Sequence, residues 1–220
     1  MIRAIEETGG DAMPQSAAQA ALERVFAEAR ACTVCAAKLP LGPRPVVRGH
    51  ATARLLVLSQ APGTRVHETG LSFNDRSGDR LRAWMAIERD AFYDEARVAI
   101  LPMGFCYPGR YERGGDLPPR PECAPLWHAR ILAALPRIEL TLLVGSYAID
   151  YYLKPRGSMT ETVARWRDFL PRFLPLPHPS WRTTAWERRN PWFEAELLPE
   201  LRRRVAALLT PARSAPCRRR

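Results

Sequence analysis

Leu55-Leu56-Val57-Leu58, closed at once by Ser59-Gln60-Ala61-Pro62-Gly63, is the stretch that decides the fold. Consecutive apolar residues without alternation are what a strand buried on both faces requires, because such a strand has no wet side to mark with polar residues. The change to Ser, Gln, Pro and Gly ends it. Runs of the same kind recur at residues 97–101, 140–144 and 173–176, with helical patterns near 79–87, 124–135 and 147–153 between them. Strands alternating with helices predict a parallel sheet covered on both sides. The expected fold class is therefore α/β, a three-layer α/β/α sandwich with a central, mainly parallel four-stranded sheet.

Outward from this core, Ala17, Ala21, Leu22, Val25 and Phe26 recur on one face of a helix predicted over residues 16–30. A last helix is expected to begin after Asn190-Pro191, with Asn as cap and Pro in the first turn, and to run to about Leu209. Residues 1–15 read as disordered, 16–209 as one domain, and 210–220 as a disordered basic tail. No internal repeat or second domain is evident. No stretch has the apolar length of a membrane span, and the N-terminus lacks the basic-then-apolar order of a signal peptide. The expectation is a soluble, cytoplasmic monomer that does not engage membranes. A net charge of +10, almost all of it arginine, favours a polyanionic partner.

Ligands of an open parallel sheet collect outside the carboxyl ends of its strands, so the loops after each strand carry the information. The first strand leads into Gln60-Ala61-Pro62-Gly63 and then Gly70-Leu71-Ser72-Phe73-Asn74-Asp75. The second leads into a long Pro- and Gly-rich stretch over residues 102–121, and the last into His178-Pro179-Ser180-Trp181-Arg182. Cysteines frame these loops: Cys32-Thr-Val-Cys35, then Cys106, then Cys123 after sixteen intervening residues. A close pair joined by two distant thiolates can close an all-sulfur site around Zn²⁺ or an iron–sulfur cluster. The alternative, four unrelated buried thiols, fits poorly with neighbours such as Pro, Gly and Arg. Cys217, alone in the basic tail, is assigned no role.

With these residues in order, the chain resembles the uracil-DNA glycosylase superfamily, specifically its iron–sulfur branches. The resemblance rests on Gln60-Ala61-Pro62-Gly63, Gly70-Leu71-Ser72-Phe73, His178-Pro179-Ser180 and the four-cysteine layout, and it covers about residues 32–209. It implies a [4Fe–4S] cluster on Cys32, Cys35, Cys106 and Cys123, with zinc as the alternative, and DNA containing a deaminated base as the partner. It also implies a monofunctional base-excision enzyme that hydrolyses an N-glycosidic bond, with uracil the first expected base. Departures matter here. Gln60 stands where family four has Glu, Ala61 where family one has its water-activating Asp, and Pro102-Met103-Gly104 where several branches place a base-reading Asn. Asp75-Arg-Ser-Gly-Asp79 is similar to the family-five segment that holds a catalytic Asp, with the spacing from Phe73 one residue shorter. Two other readings therefore remain: a catalytically weak DNA- or lesion-binding protein on this fold, and a zinc-stabilised nucleotide-binding module.

Cleaving a glycosidic bond builds positive charge on the sugar and negative charge on the departing base, so a site must supply donors for the base and a placed water near the sugar. Asp75, His178 and Gln60 are the catalytic candidates: Asp75 to orient water or balance the sugar's charge, His178 to donate to the leaving oxygen, Gln60 to orient water weakly. Gln60, Ala61, Pro62, Gly63, Phe73, Asn74 and Ser180 are the substrate-binding candidates, with Phe73 stacking on the base. Trp181 and Arg182 are candidates for the wedge that fills the gap of a flipped nucleotide, and Arg110, Arg113 and Arg120 for phosphate contacts. Each has a plainer use. Phe73 can anchor the core, Asp75 can cap the helix that follows, and Trp181 and Trp186 can pin their loop. His67 and His128 are expected in solvent or on a helix face, without a role.

Overall fold

A computed structural model describes residues 15–210. The expectations for residues 1–14 and 211–220, Cys217 among them, lie outside the described residues. The apolar runs form β1 (Leu55–Ser59), β2 (Val98–Pro102), β3 (Leu140–Val144) and β4 (Phe173–Leu176). They assemble in the order β2-β1-β3-β4, every pair parallel. Leu55 lies opposite Val98 on one side and Leu140 on the other, which makes β1 central and leaves each of its residues buried. Full burial of a Leu side chain contributes roughly 1.5–3 kcal/mol, and Leu55, Leu56 and Leu58 are all fully buried. The outer edge of β2 is closed by residue 48: Arg48 N–H donates to the Ile100 carbonyl at 3.2 Å and its own carbonyl accepts from Ile100 N–H at 2.9 Å. An edge paired in this way offers no free ladder to another chain.

The helices follow in order as α1 (Gln15–Arg30), α2 (Thr64–Thr69), α3 (Arg76–Met85), α4 (Arg89–Tyr93), α5 (Cys123–Ala133), α6 (Ser146–Leu153), α7 (Met159–Ala164), α8 (Thr183–Arg189) and α9 (Leu198–Leu209). α1 packs with α5, α3 with α9, and α6 against β3 and β1. The sandwich is thus the expected α/β architecture. α3 starts earlier than the sequence pattern suggested because Asp75 caps it: Oδ1 accepts from Gly78 N–H at 2.9 Å. At the other end of the chain the expected single helix is instead a π turn at Phe193–Leu197 running into α9. Asn190 does not cap it with its side chain; Nδ2 donates back to the Trp186 carbonyl at 2.7 Å and closes α8.

Strand order reverses at β1, with β2 added on one side and β3 on the other. That is the topological switch point at which open α/β sheets bind ligands. The loops after β1, β2 and β4 meet there.

Candidate active site

Main-chain bonds fix the floor of this crevice. Met103 N–H donates to the Ser59 carbonyl at 2.7 Å and Gly104 N–H to the Gln60 carbonyl at 3.0 Å, tying the exits of β1 and β2 together. From β4 the chain turns at His178, whose carbonyl accepts from Ser180 N–H at 2.8 Å and from the Thr183 hydroxyl. Gly145, after β3, lies beside it at a φ of +90° that favours glycine, and a Cβ there would meet His178 Cβ at an ordinary 3.5 Å. The resulting cavity measures about 110 Å³, against the roughly 10–15 Å³ one water needs. It admits a group much larger than a solvent molecule.

Gln60, Ala61, Pro62, Gly63, Phe73, Asp75 and His178 line this cavity together. Asn74 and Ser180 lie outside the lining. The Asn74 carbonyl oxygen Oδ1 accepts from Arg89 Nη2 at 3.0 Å, and the Ser180 main-chain oxygen accepts from Arg80 Nη1 at 3.0 Å. Sequence reasoning missed Asp116, Ser72, Ser77 and Pro102, which also face the cavity. Asp116 follows Gly114-Gly115, a composition that marks a turn and nothing more.

Phe73 is both anchor and wall. Its ring is buried and meets Phe92 edge-on at 5.8 Å, while its backbone adopts φ +57°, an unusual conformation for a bulky residue. Three neighbours hold it there. Arg82 Nη1 donates to the Phe73 carbonyl at 3.3 Å, Tyr93 hydroxyl donates to the Ser72 carbonyl at 2.9 Å, and Gly78 presses its Cα against the same turn. Arg82 itself is buried, paired with Asp79 and stacked over Phe92. Asp75 likewise serves two ends, its Oδ1 committed to the α3 cap while the residue lines the cavity. Burial pushes the His178 imidazole below its ordinary pKa, and the carboxylates of Asp75 and Asp116 pull the other way. A neutral imidazole at pH 7 donates one hydrogen bond and accepts another.

The rim divides the two tryptophans that the sequence left together. Trp181 is 78% exposed, with the Arg182 guanidinium 5.5 Å over its ring. Trp186 does the pinning: Nε1 donates to Thr160 Oγ1 at 2.7 Å, and its ring packs on Trp192 and Phe193. Arg110 and Arg113 are exposed. Arg120 is not with them; it pairs with Glu122 at 2.9 Å beside Cys35.

A second cavity brings Cys32, Cys35, Cys106 and Cys123 to one wall, with Arg120, Glu122 and Trp127. Phe105 N–H donates to Cys123 Sγ at 3.3 Å. Burial pushes the Cys123 thiol up to about 12 and also raises Cys106 and Cys35. Hydrogen bonds from Arg120 and Lys38 hold Glu122 down at about 2. Trp127 Nε1 and Arg120 Nε are buried without a partner among the described residues. Among those residues no three His, Cys, Asp or Glu side chains draw together as a single metal ion would need. The donor set nevertheless fits a sulfur-ligated cluster: four thiols on one wall, one main-chain donor to sulfur, and two orphaned N–H groups.

Of the two places expected for His128, solvent or a helix face, the structure gives the second, on the buried face of α5. It is buried, and because a carbonyl can only accept, Nε2–H donates to the Pro102 oxygen at 2.9 Å and Nδ1 accepts from the Tyr152 hydroxyl at 2.7 Å. Burial lowers it to about 4. Its ring stacks on Phe105 at 5.7 Å, so it joins the end of β2 to the cysteine loop. His67 is partly buried on α2, its ring 6.0 Å from Tyr107.

A family model described as the uracil DNA glycosylase superfamily matches residues 46–202, from the edge segment before β1 into α9. The chain belongs to that superfamily.

Proposed function

We propose that this member of the uracil DNA glycosylase superfamily excises a deaminated base from DNA, uracil first, by monofunctional hydrolysis. The observation that supports it is one cavity at the switch point that gathers the Gln60 loop, Phe73, Asp75 and His178, with an exposed Trp181 three residues after His178. A flipped base would enter that cavity with Phe73 beside its ring, and Trp181 with Arg182 would fill the gap it leaves in the duplex. The C1′–N bond then breaks with its electron pair passing to the base. Water oxygen bonds to C1′, its proton is released, and the base takes up a proton in turn. Neutral His178 donates to the base oxygen as charge develops there, and a carboxylate in the cavity faces the sugar. Gln60 orients water through its amide.

Cys32, Cys35, Cys106 and Cys123 would hold a [4Fe–4S] cluster, which would fasten the 107–122 loop rather than transfer electrons. Arg110 and Arg113 on that loop would meet phosphates. The expected partner is damaged DNA, met by a monomer. Among the described residues no helix is long and apolar enough to cross a membrane.

The test is a panel of single- and double-stranded oligonucleotides carrying uracil, hypoxanthine or xanthine, read by abasic-site cleavage beside equilibrium binding. Uracil excision is expected. Damage-selective binding without excision on any base would favour a lesion-binding protein instead, a reading supported by Asp75 spending Oδ1 on a helix cap while Gln60 and Ala61 bring no charge.

A further inference from the structure

The loop that Cys106 and Cys123 bracket comes back to the active site. Gly109, Gly114 and Gly115 turn it at φ of +102°, +88° and +91°. Tyr111 N–H donates to the Gly115 carbonyl and Leu117 N–H to the Gly109 carbonyl, each at 2.9 Å, and residues 110 and 116 pair antiparallel. This short hairpin returns Asp116 to the cavity wall. Its Oδ2 lies 3.6 Å from where a Cβ on Gly63 would be, so the carboxylate stands over the Gln60–Gly63 turn.

Two carboxylates thus line the cavity, and they are not equivalent. Asp75 has Oδ1 committed to Gly78 N–H at 2.9 Å, which fixes the group and uses part of its acceptor capacity. Among the described residues Asp116 accepts no side-chain hydrogen bond: the Arg110 guanidinium pairs with it at 3.7 Å, too long for one. Its lone pairs are open to a water or a cation. The turn beneath it contributes only the neutral Gln60 and Ala61.

We propose that Asp116 is the carboxylate that faces the cationic sugar and orients the attacking water, carried into the active site by the loop between Cys106 and Cys123. Asp75 is then mainly the cap that sets Phe73 and α3. The proposal rests on the glycosylase reading, and its test must not depend on activity. A duplex carrying a pyrrolidine abasic analogue, cationic at neutral pH, is compared in equilibrium binding with the same duplex carrying neutral tetrahydrofuran. The parent is expected to prefer the cation by about tenfold or more. Asp116→Asn should bring that preference close to unity. Asp75→Asn, which keeps a capping side chain, should retain most of it.

No preference in the parent, a preference that survives in Asp116→Asn, or an equal loss in both variants overturns the assignment. Single-turnover excision of uracil is measured on the same proteins, with a fall of about 10²-fold expected for Asp116→Asn. A parent that excises no base yet shows an Asp116-dependent preference for the cation removes the glycosylase reading, and with it the water-orienting role, and leaves only the placement of Asp116 facing the sugar.

Discussion

Helix propensity and packing disagree about Gly78, and Gly78→Ala decides between them. The residue lies inside α3, where Ala is favoured over Gly by about 1 kcal/mol on backbone entropy alone. Yet an Ala Cβ would stand 1.7 Å from the Phe73 carbonyl oxygen and 2.8 Å from Phe73 Cβ, distances no packing tolerates. The turn must move away. It takes with it the Asp75 cap, worth about 1 kcal/mol, and the buried Arg82 bond to the Phe73 carbonyl, worth roughly 1.5–3 kcal/mol as a charged hydrogen bond. After subtracting the propensity gain, the net loss is about 1.5–3 kcal/mol. For a domain of this size that lowers Tm by roughly 3–12 °C. Urea and thermal unfolding measure it, and uracil excision by the still-folded variant should fall more than tenfold because Phe73 leaves the cavity wall. Gly63→Ala is the contrast: its Cβ meets Asp116 Oδ2 at an ordinary 3.6 Å and its φ is negative, so stability should change by less than about 1 kcal/mol. A Gly78→Ala protein as stable as the parent, or more so, would refute the geometry assigned to this turn.

Replacing His178 by Ala should cut single-turnover excision by about 10²–10³-fold, the scale of one lost donor to a developing anion, while DNA binding survives; unchanged excision transfers that role elsewhere. His128, neutral when buried and lowered to about 4, binds its proton later than in the unfolded chain. Stability at pH 7 is unaffected by that difference and is lost as pH falls from about 6.5 toward 4, by about 3 kcal/mol in total. His128→Phe should flatten this slope in urea titrations between pH 7 and 4.5, and an equal slope in both proteins removes the explanation. Anaerobically purified protein should be brown with absorbance near ~400 nm, and Ala at Cys32, Cys35, Cys106 or Cys123 should lose iron, whereas Cys217→Ala should not; full iron in all four variants ends the cluster proposal. Arg113→Ala should weaken DNA binding for every base alike and reduce the salt slope by about 1. Arg120→Ala should instead reduce iron retention, since Arg120 is held by Glu122 at the cysteine wall; equal effects of both on DNA affinity would contradict that division.

Strands were legible because the sheet is buried on both faces: Leu55-Leu-Val-Leu58 has no polar interruption to misread, and β3 has only Thr141, a β-branched residue that suits a strand. Loop positions followed from topology, and with them Gln60–Gly63, Phe73, Asp75 and His178. Short helices were harder. α2, α4, α7 and α8 are too brief to show an apolar period, although α7 carries a readable signal in its Ser158–Glu161 capping box. His128 also had one. It falls on the stripe of Ala124, Trp127 and Ile131, spaced three and four residues apart, so the face that buries them buries it.

Asp116 had no such signal, for a physical reason that bears on the whole site. Turn residues reveal that a chain reverses, not where the reversal delivers it. The position of Asp116 depends on the pairing of residues 110 and 116, and on where the ends of the loop are held. Those ends are Cys106 and Cys123. Cys123 opens α5, His128 on that helix bonds the Pro102 carbonyl at the end of β2, and Pro102 itself lines the cavity. The cysteine wall and the base cavity are therefore joined through one buried imidazole and one hairpin. On the proposed function, loss of the cluster would not need to unfold the sheet to stop excision; releasing the hairpin would be enough to withdraw a carboxylate from above Gly63.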